Sequence, residues 1–112
     1  SGDDVSQIQQ ATKDLVERSP KTDAIVFSDD FVALAGLHAL VELGIRIPEQ
    51  VAVVGLNNSR YAEISNPSLT SIDNMLYDTS LIAVRNLLEV LRGGRVNHRI
   101  TIGSVVVERS TT

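Results

Sequence analysis

Two short polar clusters carry the groups that a binding site needs. Ser28, Asp29 and Asp30 follow the apolar run Ala24 to Phe27, and Asn57 and Asn58 come soon after the apolar run Val51 to Val54. A carboxylate only accepts hydrogen bonds, whereas a carboxamide both donates and accepts. Brought together, an acid and an amide suit the hydroxyls of a polyol or the edge of a base. Asp30 directly precedes a helical pattern and can accept from the amide hydrogens of its first turn, which assigns it the cap. Asp29 is then open to two readings: a carboxylate facing a cleft, accepting from ligand hydroxyls, or a solvated loop acid.

Other chemistries find less support. An acid pair after a first strand also occurs in phospho-receiver domains, where carboxylates hold Mg²⁺. That arrangement wants a later phospho-acceptor Asp and a later Lys. Here Asn57 stands in place of the Asp, and the lysines, Lys13 and Lys21, both precede the acid pair. His38 and His98 share no metal-ligand spacing with each other or with a carboxylate cluster. Ser28 and Ser71 have no base partner, so nucleophilic catalysis is unsupported. Gly93-Gly94 follows a helical pattern instead of opening one, which excludes a phosphate-binding loop. Arg85, Arg92, Arg95 and Arg99 read as a solvated basic face. The residues advertise binding without catalysis, and no cofactor is implied.

The elements that must position Asp29 and Asn57 form a βαβ unit. Val51 to Val54 is β-branched at three of its four positions, as a buried strand prefers. Between the two strands, Phe31, Leu34, Leu37, Leu40 and Val41 fall at helical spacing, and Gly44 is placed to leave the helix in the left-handed region. Continuous apolar strands flanking a helix imply parallel pairing with the faces covered. In such sheets ligands gather beyond the carboxyl ends of the strands, which is where both polar clusters lie. Upstream, residues 4–18 predict an amphipathic helix with Asp4 and Gln7 as a capping box, stopped by Ser19-Pro20. Downstream, 57–68 reads as loop with at most a short helical turn, and Leu69 to Ile72 as a third strand. A helix capped by Asp78 or Thr79 follows, with Leu81, Val84, Leu87, Leu88 and Leu91 inward. Ile100 to Ile102 and Ser104 to Val107 read as extended. Three short parallel strands bury less than such a sheet needs, so an unpaired edge and a fragment are expected.

The 112 residues suit one small domain. Apolar content of 43% and charged content of 21% are ordinary for a globular chain. A formal net charge of -4 gives no electrostatic reason to bind nucleic acid or an anionic membrane. With no cysteine there is no disulfide framework or thiol chemistry, which mildly favours a cytoplasmic origin.

Four segments in order, FSDDFVALAGLHALVELGIRIPEQVAVVGLN, NPSLTSID, NLLEVLRGG and VVVERST, resemble the effector-binding domain of lactose-repressor-type (LacI/GalR) transcription regulators. The resemblance runs from about residue 4 to 112. It implies an α/β, three-layer αβα fold: a partial periplasmic-binding-protein-like lobe with a short, mostly parallel sheet, forming a single partial domain over 1–112. Helix 79–91 would belong to the other lobe in an intact member, and Asp73-Asn74 would stand where the chain crosses between lobes. Position by position, Asp29 falls where the family usually has a ligand-contacting Asn, and Asn57 where it usually has an Asp that binds effector hydroxyls. Leu76 matches a position that is often aromatic beneath the effector, and an aliphatic side chain there argues against strong stacking on a sugar ring. The helix from Phe31 to Leu43 and the loop Ser59 to Asn66 match surfaces that pair two subunits, with Leu34 and Tyr61 as contact candidates.

The resemblance therefore implies the effector-sensing and dimerisation part of a DNA-binding repressor, taking a sugar-like or nucleoside-like effector between two lobes. The family's helix-turn-helix, hinge helix and N-terminal lobe have no counterpart here, so DNA contact is expected only through a domain outside this stretch. One alternative is a dimerisation scaffold without ligand competence of its own. Another is a lobe of a periplasmic or extracellular sugar-binding protein, against which stand Leu69-Thr70-Ser71 and the ERST end.

Overall fold

The computed structural model describes residues 2–112. The chain order is α1 (Gly2–Arg18), β1 (Ala24–Val26), α2 (Asp30–Glu42), β2 (Ala52–Leu56), α3 (Arg60–Ile64), β3 (Thr70–Asp73), α4 (Leu76–Leu91) and β4 (Val105–Val107). The sheet order follows the chain, β1-β2-β3-β4. β1 and β3 flank β2 in parallel, and β4 returns antiparallel to β3. The sheet thus has a fourth strand beyond the three parallel ones that the apolar runs predict. Ser104 to Val107 supplies it, whereas Ile100 to Ile102 joins no strand.

The register explains the core. Ile25 pairs with Val53, and Gly55 with Ser71, so Ile25, Val53, Gly55, Leu69 and Ser71 share one face of the pleat. All five are buried. Helix α2 lays Ala33, Leu37 and Leu40 over this face, and Val51 and Ala62 close its ends. Burying side chains such as Leu40 and Leu69 stabilises the fold by roughly 1.5–3 kcal/mol each. Helix α1 packs beside α2, joined at the surface by Lys13 Nζ to Glu42 Oε2 at 2.9 Å. Gly44 leaves α2 at φ +76°, the left-handed exit that its position predicts.

The C-terminal tail seals the opposite end of the sheet. Thr111 is fully buried: its hydroxyl donates to Val53 O at 2.6 Å and accepts from Thr70 N at 2.9 Å. The Val53 amide in turn donates to Thr111 O at 2.9 Å. One threonine thereby satisfies the backbone of two strands.

Helix α4 departs from expectation. Leu81, Val84, Leu87, Leu88 and Leu91, predicted inward, are all exposed, and the helix buries no residue. It projects from the sheet, stretching the molecule to 59 × 28 × 26 Å with a radius of gyration of 18.0 Å, against about 13 Å for a compact chain of this length. The stripe is real, but no other element among the described residues covers it. The helix also starts earlier than the expected caps at Asp78 or Thr79. Asp73 Oδ1 accepts from Met75 N at 2.7 Å, and Met75 at φ 56° turns the chain into the helix. Similarly, α1 begins at Gly2, which puts Asp4 inside its first turn instead of ahead of it.

Candidate functional site

The carboxyl ends of β1 and β2 lie side by side, and the acid and the amide that follow them line one cleft of about 190 Å³. Asp29, Asp30, Phe31, Leu56, Asn57 and Tyr61 contribute to its walls. The cap expected of Asp30 falls to Asp29 instead. Asp29 is the cap: its Oδ1 accepts from Val32 N at 2.8 Å, and its extended backbone makes it the residue just before the helix. Its second oxygen has no partner among the described residues and stays available as an acceptor.

Asp30 is 3% exposed and turned into the protein. Its Oδ2 accepts from Ser59 N at 2.6 Å and Ser59 Oγ at 2.7 Å, while Oδ1 accepts from Ser71 Oγ at 2.6 Å. Three donors satisfy a buried charge that would otherwise be costly. The carboxylate lies directly over β2: a Cβ on Gly55 would run into Asp30 Oδ1 and come within 2.8 Å of Leu69 Cδ2. Gly55 is glycine because Asp30 occupies that space. Asp30 therefore ties the start of α2 to the start of α3 and to β3.

The turn after β2 is built from two asparagines with positive φ, Asn57 at 93° and Asn58 at 47°. Asparagine tolerates this region better than most side chains. Asn57 donates from its backbone to Ile72 O at 2.7 Å, and its exposed side chain accepts from Asn74 Nδ2 at 3.0 Å. Asn58 is held from several sides. Its amide donates to Ser71 Oγ at 2.9 Å, its Nδ2 to Asp73 Oδ2 at 3.2 Å, and its Oδ1 accepts from Arg109 Nη2 at 2.6 Å. Arg109 also donates from Nη1 to Leu69 O at 2.8 Å. A guanidinium from the C-terminal tail thus braces the turn that presents Asn57.

Asn58 belongs to the second polar cluster seen in the sequence, whereas Asn74, Ser104 and Arg109 escape sequence reasoning as site residues, because their partners lie on other strands and depend on register. The doubled asparagine and the ERST end were the visible traces of this network.

The other expected residues sit elsewhere. Leu76 opens α4, is 56% exposed and does not line the Asp29–Asn57 cleft. Leu34 is half-buried against the core and lines a groove of about 230 Å³ with Leu37, His38, Val41 and Ser65. Tyr61 is 52% exposed and meets Phe31 edge-on, ring centroids 6.2 Å apart at 67°. Among the described residues no group of His, Cys, Asp or Glu is placed to hold a metal ion, and no helix is long and apolar enough to cross a membrane.

A periplasmic binding protein-like domain matches residues 2–112. The chain belongs to that family. An HTH-type transcriptional regulator of Lachnoclostridium phytofermentans is 33% identical over 98 residues, covering 88% of this chain and 29% of the regulator. The ribose operon repressor of Halalkalibacterium halodurans is 29% identical over 109 residues, 96% of this chain and 33% of that protein. The chain spans about a third of the length of these curated relatives. A LacI family transcriptional regulator from Arthrobacter sp. FB24, solved in complex with lactose, superposes with a TM-score of 0.85 at 29% identity, covering 94% of this chain and 40% of that one. This periplasmic binding protein-like domain is a partial lobe of the LacI-family type, with a small, mostly parallel four-stranded sheet.

Proposed function

We propose that the chain is the effector-sensing part of a DNA-binding transcriptional repressor, and that Asp29 and Asn57 hold a small polar ligand such as a sugar. The observation that carries this reading is that an acid and an amide, 28 residues apart in sequence, line one cleft at the carboxyl ends of two parallel strands. The relatives named for a ribose operon and solved with lactose support the carbohydrate class. Leu76 is proposed to flank the ligand only once α4 and the neighbouring lobe close over the rim. Such closure shifts a two-state equilibrium by the ligand's differential affinity for the closed form. DNA contact is assigned to a segment outside this stretch, and the working compartment to the cytoplasm.

The test is a titration of the regulator that carries this chain with ribose and lactose. Asn57→Ala is expected to weaken binding about tenfold, the equivalent of about 1.4 kcal/mol for a lost polar contact. Asp29→Asn keeps an acceptor oxygen for the cap but removes the charge and turns the second oxygen into a donor amino group, so it should alter affinity without lowering stability. Unchanged affinity in both variants sinks the assignment.

Dimerisation through α2 and α3 is the second part of the reading, favoured by the exposed Tyr61 on α3 and by the groove that Leu34 of α2 lines. Apolar surface of this kind suits a self-complementary contact. Sedimentation of the regulator should show a dimer that Leu34→Asp and Tyr61→Asp dissociate. A monomer at all concentrations removes this part.

A further inference from the structure

Three polar side chains line up across the ends of neighbouring strands. Asn57 follows β2, Asn74 follows β3, and Ser104 precedes β4. Asp73 pairs with Val105, so Asn74 and Ser104 are the next opposed residues, where the chain leaves the sheet for α4 and comes back. Ser104 Oγ donates to Asn74 Oδ1 at 3.0 Å, and Asn74 Nδ2 donates to Asn57 Oδ1 at 3.0 Å. Both bonds run in the same direction, toward the cleft. A carboxamide whose oxygen is engaged has its amino group left to offer.

We propose that Asn74, backed by Ser104, is a positioning residue that fixes the Asn57 carboxamide with its amino group presented to the ligand. The proposal rests on the effector-binding reading of the cleft. Its consequence is a polarity rule for recognition. Asn57 acts as a donor and Asp29 as an acceptor, so the ligand must offer an acceptor oxygen to the first and a hydroxyl hydrogen to the second. Adjacent hydroxyls of a sugar, or a hydroxyl beside a ring oxygen, satisfy both at once. An ammonium group set against Asn57 has only donors to offer and would be refused.

The relay also predicts how to invert the rule. In Asn74→Asp the new carboxylate can only accept. Asn57 must then turn its amino group toward residue 74, and its oxygen faces the cleft instead. In Ser104→Ala the donor behind Asn74 is gone. The Asn74 carboxamide is then free to turn over, and Asn57 loses its single orientation.

Side-chain amide hydrogen exchange of the isotopically labelled 112-residue chain reads these orientations directly. In the wild type the Asn74 amino hydrogens should exchange slowly and those of Asn57 freely. Asn74→Asp should slow the Asn57 amino hydrogens about five- to tenfold, as a newly made hydrogen bond does. Ser104→Ala should slow them by a smaller factor. Protected Asn57 hydrogens in the wild type, or no change in either folded variant, overturn the proposal. If Asn74→Asp does not fold, Ser104→Ala alone decides in the same way.

A second arm titrates the regulator carrying this chain with ribose and lactose. Asn74→Asp is expected to cost about tenfold in affinity for whichever sugar binds. Exchange as expected, with sugar affinity untouched by Asn74→Asp and Asn57→Ala, sinks the effector reading of the cleft and leaves the orientation standing. Exchange contrary to expectation sinks the orientation whatever the sugars do.

Discussion

Adjacent aspartates in this chain do opposite work, and the difference comes from a one-residue shift in where the helix starts. Sequence pattern places the start near residues 30 and 31 but does not fix which acid is the cap. A shift of one residue turns a side chain by about 100° around the axis. The outcome is Asp29 at the cap and Asp30 inside, and the glycine at 55 is the sequence trace of that choice. Asp30→Ala should strand the donors of Ser59 and Ser71 and lower stability by about 2–4 kcal/mol in urea unfolding. Gly55→Ala should cost about 1–3 kcal/mol through the collision with Asp30 and Leu69. Because both substitutions act on the same space, the double variant should be less destabilised than the sum, by about 1 kcal/mol. Strict additivity would mean that the carboxylate does not rest over Gly55. Asn57 was legible as a rim residue from its place after a strand. The orientation of its amide was not, since that depends on Asn74 and Ser104, which only the strand register brings near.

At the level of elements, the βαβ unit was readable because its signals agree. β-branched runs, helical spacing and a terminal glycine all point to one arrangement, and the parallel pairing of β1 with β2 follows. β4 was harder. Val105 to Val107 reads as extended in either direction, and its antiparallel pairing with β3 comes from the return path after α4. The clasp between α1 and α2 was invisible in the sequence, because Lys13 and Glu42 lie 29 positions apart. The Lys13 ammonium, by hydrogen bond and by charge, holds the Glu42 carboxyl below its ordinary 4.5, with His38 adding a smaller pull in the same direction. A carboxyl lowered in the folded state contributes stability that is present above its unfolded value and lost as pH falls through the folded one. Wild type should therefore exceed Lys13→Met slightly in thermal stability at neutral pH. The gap should close once pH drops through the carboxylate range below about 4.5 and should shrink with added salt, because the pair is exposed. A gap that persists at low pH and high salt would assign the effect to the packing of the lysine stem instead.

Taken as a whole, the molecule is a sheet with one face buried under α2, its outer strands exposed on the other side at Val26 and Val106, and one helix held away from it. The amphipathic stripe of α4 states that the helix needs a cover but cannot state where the cover comes from, which is why the pattern alone points its leucines inward. Chain length adds a constraint: these residues span about a third of their curated relatives, so a neighbouring lobe is the natural proposal for what α4 faces. An unsupported 16-residue helix is marginal in water, whereas α2 buries Ala33, Leu37 and Leu40. Backbone hydrogen exchange should separate the two helices in the 112-residue chain. Amides in the middle of α2 should exchange only with global unfolding, while those of α4 should exchange near the rates of an isolated helix. In the longer regulator proposed above the α4 amides should slow toward those of α2, because on that proposal its leucines gain a surface. Equal protection of both helices in the short chain would show that α4 is already covered in solution, most simply by a second copy, and sedimentation of the same sample would reveal that copy.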